Sequence, residues 1–137
     1  WSSDVCSSDL VVSLGSARQK ARDSKRVADM KQMQTALELY YGDKTAYPAA
    51  SPSIALGASG YTCISDSGIT GTCGTTVYMG QVPLDPLNDA THKYSYKSAT
   101  TSTYEMGFTL ELDTAGLTSG NNCAKPSGLT HETCAAL

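Results

Sequence analysis

Hydrophobic positions in the first third of the chain recur at helical spacing. Residues 11–41 contain no Pro and a single Gly. Large apolar side chains recur there every three or four positions, at Val27, Met30, Met33, Leu37, Tyr40 and Tyr41. This spacing predicts one buried stripe on an amphipathic helix. Gly42 is typical of the residue just past a helix, and Pro48 prevents the helix from resuming soon afterwards.

The two halves of this predicted helix differ in their polarity. Residues 16–26, SARQKARDSKR, contain no large apolar side chain. Within them lies a basic segment, residues 18–26, whose cations are Arg18, Lys20, Arg22, Lys25 and Arg26. A helical half without apolar side chains has little with which to pack on a domain. We therefore expect this half to project from the domain, or to be covered by another molecule.

Polar and apolar residues alternate in two later segments, which predicts two half-buried strands. The first segment is KYSYKS, residues 93–98, and the second is TYEMGFTLEL, residues 103–112. We expect them to form an antiparallel hairpin. VPLDP, residues 82–86, predicts a rigid turn because each Pro fixes its own φ. Residues 49–76 are rich in Gly, Ser and Thr and predict a long loop, and the tail after Gly116 is polar and rich in turn residues.

Four of the five cysteines form an even set in this loop-rich part of the chain: Cys63, Cys73, Cys123 and Cys134. An even set indicates two disulfides and an oxidising compartment. No C-x-x-C pair is present, so a zinc site is the weaker interpretation. We expect Cys63 to pair with Cys73 and Cys123 with Cys134, because each bridge would close a short loop in a region poor in core residues.

The charge is distributed unevenly along the chain. The net charge is −3, yet residues 18–31 hold six basic residues against Asp23 and Asp29. The remainder, from residue 32 onwards, holds four basic and nine acidic residues. A basic segment thus precedes an acidic domain. This balance does not favour a nucleic-acid partner, and no aromatic residues are interleaved with the cations to stack on single strands.

Four stretches in this order resemble the type IV pilins and the major pseudopilins of type II secretion systems. They are residues 17–48, ARQKARDSKRVADMKQMQTALELYYGDKTAYP; residues 78–86, YMGQVPLDP; and the two alternating segments. The resemblance implies an α+β, pilin-like fold, with a long N-terminal helix (residues 11–44) packed on a small antiparallel sheet in a head (residues 45–137). It also implies a structural filament subunit that polymerises through its helix and has no catalytic residues.

The resemblance further implies particular partners and a location in the cell envelope. The partners would be other pilin-like subunits in a homopolymer, an inner-membrane assembly platform, and a prepilin peptidase for the precursor. The subunit would cross the inner membrane once before it assembles into a periplasmic or extracellular filament. Within the filament we expect Arg22 and Lys25 to set the register of packing. The alternatives are an adhesive or DNA-uptake minor pilin and, less favoured, a secreted enzyme.

The first ten residues, WSSDVCSSDL, do not belong to this pattern. They are similar to the translated end of a common sequencing adapter, so we expect residues 1–10 to be non-native and to be excluded from fold reasoning. In the family, an apolar anchor of about 20 residues stands at this place. Trp1 and the odd thiol, Cys6, would be removed together with this segment.

Two kinds of candidate chemistry remain in the head. His92 and His131 could act as bases or metal ligands, but no catalytic motif surrounds them, and surface positions are favoured. Calcium could bind oxygen ligands in either of two groups, Asp85 with Asn88 and Asp89, or Asp113 with Asn121 and Asn122. The resemblance lends some support to the second group. Turn formation by Asp and Asn explains both groups without a metal, so no cofactor is predicted.

Overall fold

The protein has an α+β fold, and within residues 5–134 one long helix precedes eight short strands. The computed structural model describes the backbone of residues 5–134 and the side chains of residues 11–134. The helix, α1, runs from Val5 to Lys44. The strands are β1 (Ala50–Ala55), β2 (Cys63–Ser65), β3 (Gly68–Thr70), β4 (Val77–Met79), β5 (Ser95–Ser98), β6 (Glu105–Leu110), β7 (Gly120–Lys125) and β8 (Gly128–Thr130).

Five strands form the main antiparallel sheet, in the order β1-β5-β6-β7-β8. The predicted hairpin is confirmed, since β5 pairs with β6 and Tyr96 lies opposite Met106. Strand β6 alternates as predicted, with Met106, Phe108 and Leu110 buried. Leu112, the last residue of the predicted strand segment, lies beyond the end of β6 and is only partly buried.

The second half of α1 packs on the inner face of this sheet. Its buried side chains follow the predicted stripe through Val27, Met30, Met33 and Leu37. They join one core with the tyrosines and Met106 of the sheet. Burial of each large apolar side chain contributes about 1.5–3 kcal/mol relative to exposure. This stripe therefore holds the second half of the helix to the head.

The helix continues through Gly42, which was predicted to lie just past its end, and ends at Lys44, three residues later than that prediction. Thr45 has a left-handed φ of +56°, and its N–H donates to the carbonyl of Tyr41 at 2.7 Å. This closes the last turn in the manner of a C-terminal cap. Lys44 adds a cation at the negative end of the helix dipole. The predicted helix-to-head boundary at residue 44 agrees with this end.

The prediction of a long loop over residues 49–76 was wrong. Strand β1 pairs with β5, and a second, three-stranded sheet has the order β3-β2-β4. Ile64 lies opposite Ile69 across the β2–β3 hairpin, and Gly68 supplies a φ of +96° there. The tail likewise forms the β7–β8 hairpin. Strands of three residues are too short to show a recognisable alternation.

Both disulfides join the predicted partners. Cys63 is bonded to Cys73 with a Cα–Cα distance of 5.5 Å, and Cys123 to Cys134 with one of 5.1 Å. The first bridge ties the end of the β2–β3 hairpin, and the second ties the final residues of the described chain to β7. Each bridge thus closes a short loop, of 10 and 11 residues of sequence separation respectively.

Candidate functional site

A fully buried arginine lies where the helix meets the head. Arg26 is 0% exposed. Its guanidinium donates to both oxygens of Asp85, from Nε at 2.7 Å and from Nη2 at 3.0 Å. Its Nη1 donates to Asp23 at 2.6 Å and to Glu111 at 2.7 Å. One residue of the helix thus joins the turn before β5 and the end of β6.

Arg22, one turn earlier, completes this group of charges. It forms a two-bond ion pair with Glu111, from Nε to Oε1 at 2.7 Å and from Nη2 to Oε2 at 2.6 Å. Asp23 also accepts the backbone N–H groups of Glu111 and Leu112. We call Arg22, Asp23, Arg26, Asp85 and Glu111 the Arg26 cluster. Two cations and three anions meet there, so every charge has an opposite neighbour.

The hydrogen bonds of the cluster favour the ionised forms of Glu111, Asp85 and Arg26. Arg22 donates to Glu111, and this interaction, assisted by Arg26 and opposed by burial, lowers the pKa of Glu111 to about 2. Burial disfavours the charged form of Asp85, but the bonds from Arg26, Leu87 and Asn88 outweigh it and lower its pKa. Burial acts likewise against Arg26, whose pKa is nevertheless raised by its three carboxylates.

A second ionic contact lies on the next turn of the helix. Lys25 pairs with Asp29 at 2.6 Å, and Asp29 also accepts the hydroxyl proton of Tyr94 at 2.9 Å. Burial, with the nearby charge of Asp29, raises the pKa of Tyr94. Polar contacts therefore fix the helix to the head over about two turns, up to the start of its apolar stripe at Val27 and Met30.

This arrangement corrects the expectation that the whole basic segment projects. Arg22 and Arg26 are bound to the head, and Lys25 is half-exposed but paired. A signal was available in the sequence, because Arg26 and Asp23 precede Met30 by four and seven residues and so continue the buried stripe. Arg22 is consequently a poor candidate for setting register between subunits, since its reversal would break the pair with Glu111.

The part of the helix before the cluster does project. The side chains of residues 11–21 are exposed, apart from a partly buried Gln19. Val11, Val12 and Leu14 are 53–73% exposed. Arg18 and Lys20 are exposed and form no ion pair with any described residue. This half therefore offers apolar and basic side chains that the head does not cover.

The first set of candidate calcium ligands is occupied by other partners. Asp85 binds Arg26 and accepts the N–H of Leu87 at 2.8 Å. Asp89 accepts the N–H groups of Thr91 and His92, which is the turn-forming role expected of an aspartate. These bonds, above all those from His92, lower the pKa of Asp89. Both aspartates of the first set thus already have partners of their own.

The second set is also committed to local hydrogen bonds. Asp113 accepts the N–H of Ser119, Asn121 accepts the hydroxyl of Thr109, and Asn122 donates to two backbone carbonyls. The buried Oδ1 of Asn122 has no hydrogen-bond partner. All three side chains of the second set thus already have local hydrogen-bond partners.

Neither histidine shows the surroundings of a catalytic base. His92 is bonded to Asp89 through Nδ1 at 3.0 Å, in the turn before β5, and His131 is exposed. Glu105 lies near Cys123 and Cys134, but these two sulfurs form a disulfide and are not free to bind a metal as thiolates. Two open cavities of about 270 and 360 Å³ each have Lys93 as their single charged lining residue.

Comparisons with protein-family models, with curated proteins and with solved structures found no match to this chain. Within the described residues, α1 has no stretch that is both long and apolar enough to cross a membrane. The geometry of the helix and the head is therefore the basis for any statement about function.

Proposed function

We propose that this protein is a structural filament subunit of the pilin or pseudopilin type, which polymerises through its N-terminal helix. The observation that carries the proposal is the division of the 40-residue helix α1. Its second half is buried on the sheet, whereas residues 11–21 extend beyond the head with exposed apolar and basic side chains. At 1.5 Å per residue the whole helix is about 60 Å long, so the free half can reach neighbouring subunits.

The Arg26 cluster suits this role because it fixes the helix to the head at the point where the free half begins. A subunit that stacks through its helix must hold its head at one angle to that helix. Buried ion pairs with several bonds are satisfied in few geometries, which makes them better at specifying an arrangement than at stabilising it. Within the cluster, the ion pair between Arg22 and Glu111 joins the helix to the head. A flexible joint at this point would let the head swing.

The two disulfides support the location that the proposal requires. Cross-links of this kind persist outside the cytoplasm. We propose that the subunit is held in the inner membrane by an apolar segment ahead of residue 11, that a prepilin peptidase processes the precursor, and that an assembly platform adds the subunit to a periplasmic pseudopilus or a surface pilus. Energy for assembly comes from a separate motor, so the subunit requires no catalytic site.

Assembly in cells tests the proposal. The chain from Val11 onwards, joined to a leader and an apolar helix of about 20 residues, is expressed with the assembly machinery of a pilus or of a secretion system. We expect sheared filaments that contain the subunit and are visible by electron microscopy. The control carries three charged residues within the apolar helix and should give none. Membrane-inserted subunits that never form filaments in either system would contradict the proposed function.

A further inference from the structure

Two exposed pairs of residues on α1 have the same spacing and opposite charge. Leu14 is followed four residues later by Arg18, and Leu39 is followed four residues later by Asp43. The leucines are 53% and 56% exposed, the largest exposures of any described leucine. In each pair, an apolar residue is followed about one helical turn later by a charged residue on the same side of the helix.

The two pairs also lie on the same side of the helix. Leu14 and Leu39 are 25 residues apart, which is about seven turns at 3.6 residues per turn. Leu39 lies about half a turn around the axis from Leu37, which is fully buried. At Leu39 the shared side therefore faces away from the core, and Asp43 lies at the edge of the head, where it contacts Tyr78; another helix can approach this side.

The charges of these pairs lack ionic partners within the described part of the chain. Arg18 forms no ion pair, and Asp43 accepts only the hydroxyl proton of Tyr78, at 2.8 Å. The hydrogen bond to Asp43, together with burial, raises the pKa of Tyr78 to about 12, and the charge of nearby Asp66 acts in the same direction. Asp43 thus forms no ion pair within the described chain, although Lys44 follows it at the end of α1.

We propose that Leu14 and Arg18 of one copy dock on Leu39 and Asp43 of a second copy, with the two helices parallel and displaced by 25 residues, about 37 Å along the axis. The inference rests on the proposed function and specifies how two subunits of the filament would contact each other. In the parallel arrangement leucine meets leucine and Arg18 meets Asp43. In the antiparallel arrangement each leucine meets a charge, which leaves that charge poorly solvated.

This contact joins two different patches, so each copy keeps one patch free after it has bound a neighbour. Such heterologous contacts generate open chains unless the rotation between copies closes a ring. Repetition of the contact therefore adds copies in one direction, each displaced by the same distance along the axis. Charge contributes to the choice of register, and the two leucines supply the buried apolar area.

Disulfide trapping between single-cysteine variants tests the register. All variants carry Cys6→Ser and keep both native disulfides. Chains with Leu14→Cys are mixed with chains carrying Leu39→Cys at high concentration under mild oxidation, and the rate of cross-linked dimer formation is measured. We expect this pair to link at least about fivefold faster than Leu14→Cys with Asp43→Cys, which would form in the antiparallel arrangement. Neither variant should link efficiently to itself.

Charge reversal supplies the matched control. Arg18→Glu should lower the cross-linking rate severalfold, and Asp43→Arg added in the partner chain should restore it. Lys20→Glu makes the same change of charge on another side of the helix and should leave the rate unchanged. Equal rates for the parallel and antiparallel pairs, or equal effects of Arg18→Glu and Lys20→Glu, would overturn the contact. It would also be overturned if anionic vesicles slowed the cross-linking while Arg18→Glu left its rate unchanged.

These outcomes are separate from those of the proposed function. Filaments whose cross-links exclude the Leu14–Leu39 pair would reject the contact while the function stands. Trapping of the pair in a chain that never assembles when anchored would reject the function while the contact stands.

Discussion

Arg26 is the side chain on which the junction between helix and head depends most. Its replacement by Met leaves Asp23, Asp85 and Glu111 close together without their shared cation. We expect Arg26→Met to lower the free energy of unfolding by about 3–5 kcal/mol, because uncompensated buried charge is costly. Urea denaturation followed by circular dichroism measures this. Arg18→Met, at an exposed position, should change stability by less than about 0.5 kcal/mol, and equal effects would contradict the role of the cluster.

Glu111 gives the junction a predictable dependence on pH. Its folded-state pKa, about 2, lies below the unfolded value of 4.5. Because the shift is downward, its stabilisation is present above pH 4.5 and is lost as the pH falls from there towards 2. Allowing for partial exposure, we expect a loss of about 2 kcal/mol over this range.

Glu111→Gln provides the comparison for this pH dependence. The variant should be less stable at pH 7 and should lose less stability than the wild type between pH 4.5 and pH 2, measured by denaturation at each pH. Identical slopes for the two proteins would show that Glu111 does not titrate as described.

The helix packs on the head through one face only. Two leucines close together in sequence show the difference between the packed face and the exposed one. Leu37 is fully buried in the core, whereas Leu39 is 56% exposed. Leu37→Ala should cost about 2–5 kcal/mol of unfolding free energy through lost burial and the cavity it leaves. Leu39→Ala should cost less than about 0.5 kcal/mol. Thermal denaturation of the two variants makes the comparison, and a large loss for Leu39→Ala would place it in the core instead.

The β7–β8 hairpin depends on its disulfide because β8 is a short strand at the edge of the sheet. The Cys123–Cys134 bridge spans 11 residues of sequence, and closing a loop of this size contributes about 3 kcal/mol in the chain-entropy account. Replacing both cysteines with Ala should lower stability by about 2–4 kcal/mol. Hydrogen exchange should show β8 losing protection before β6, and uniform loss across the sheet would contradict a local effect.

The whole chain, without a further apolar segment, should associate only weakly. Exposed ion pairs contribute about 0–1 kcal/mol each, and the proposed contact buries few large side chains. We expect a monomer at micromolar concentration and a dissociation constant of about a millimolar or weaker. Sedimentation velocity measures this, and a stable oligomer at micromolar concentration that salt does not disrupt would show that the head carries an interface of its own.

The parts of the fold that the sequence predicted are those in which one short segment carries the whole signal. Met106, Phe108 and Leu110 alternate within a single strand, and Met30 and Met33 repeat within a single helix. The four cysteines could pair so that each bridge closes a short loop, and both predicted pairings are present in the structure. The strands of three residues were missed because their stability comes from pairing and from the Cys63–Cys73 bridge and leaves no periodic trace.

Composition and periodicity determined that a long helix, basic at one end and apolar along one later face, precedes a half-buried hairpin. The tertiary structure alone decided which charges are buried and which remain free. Arg26 meets Asp85 and Glu111 across 59 and 85 residues of sequence, whereas Arg18 meets no described anion. The physical reason is that burying a charge is tolerated only where opposite charges from distant segments converge on it, and local sequence does not specify that convergence.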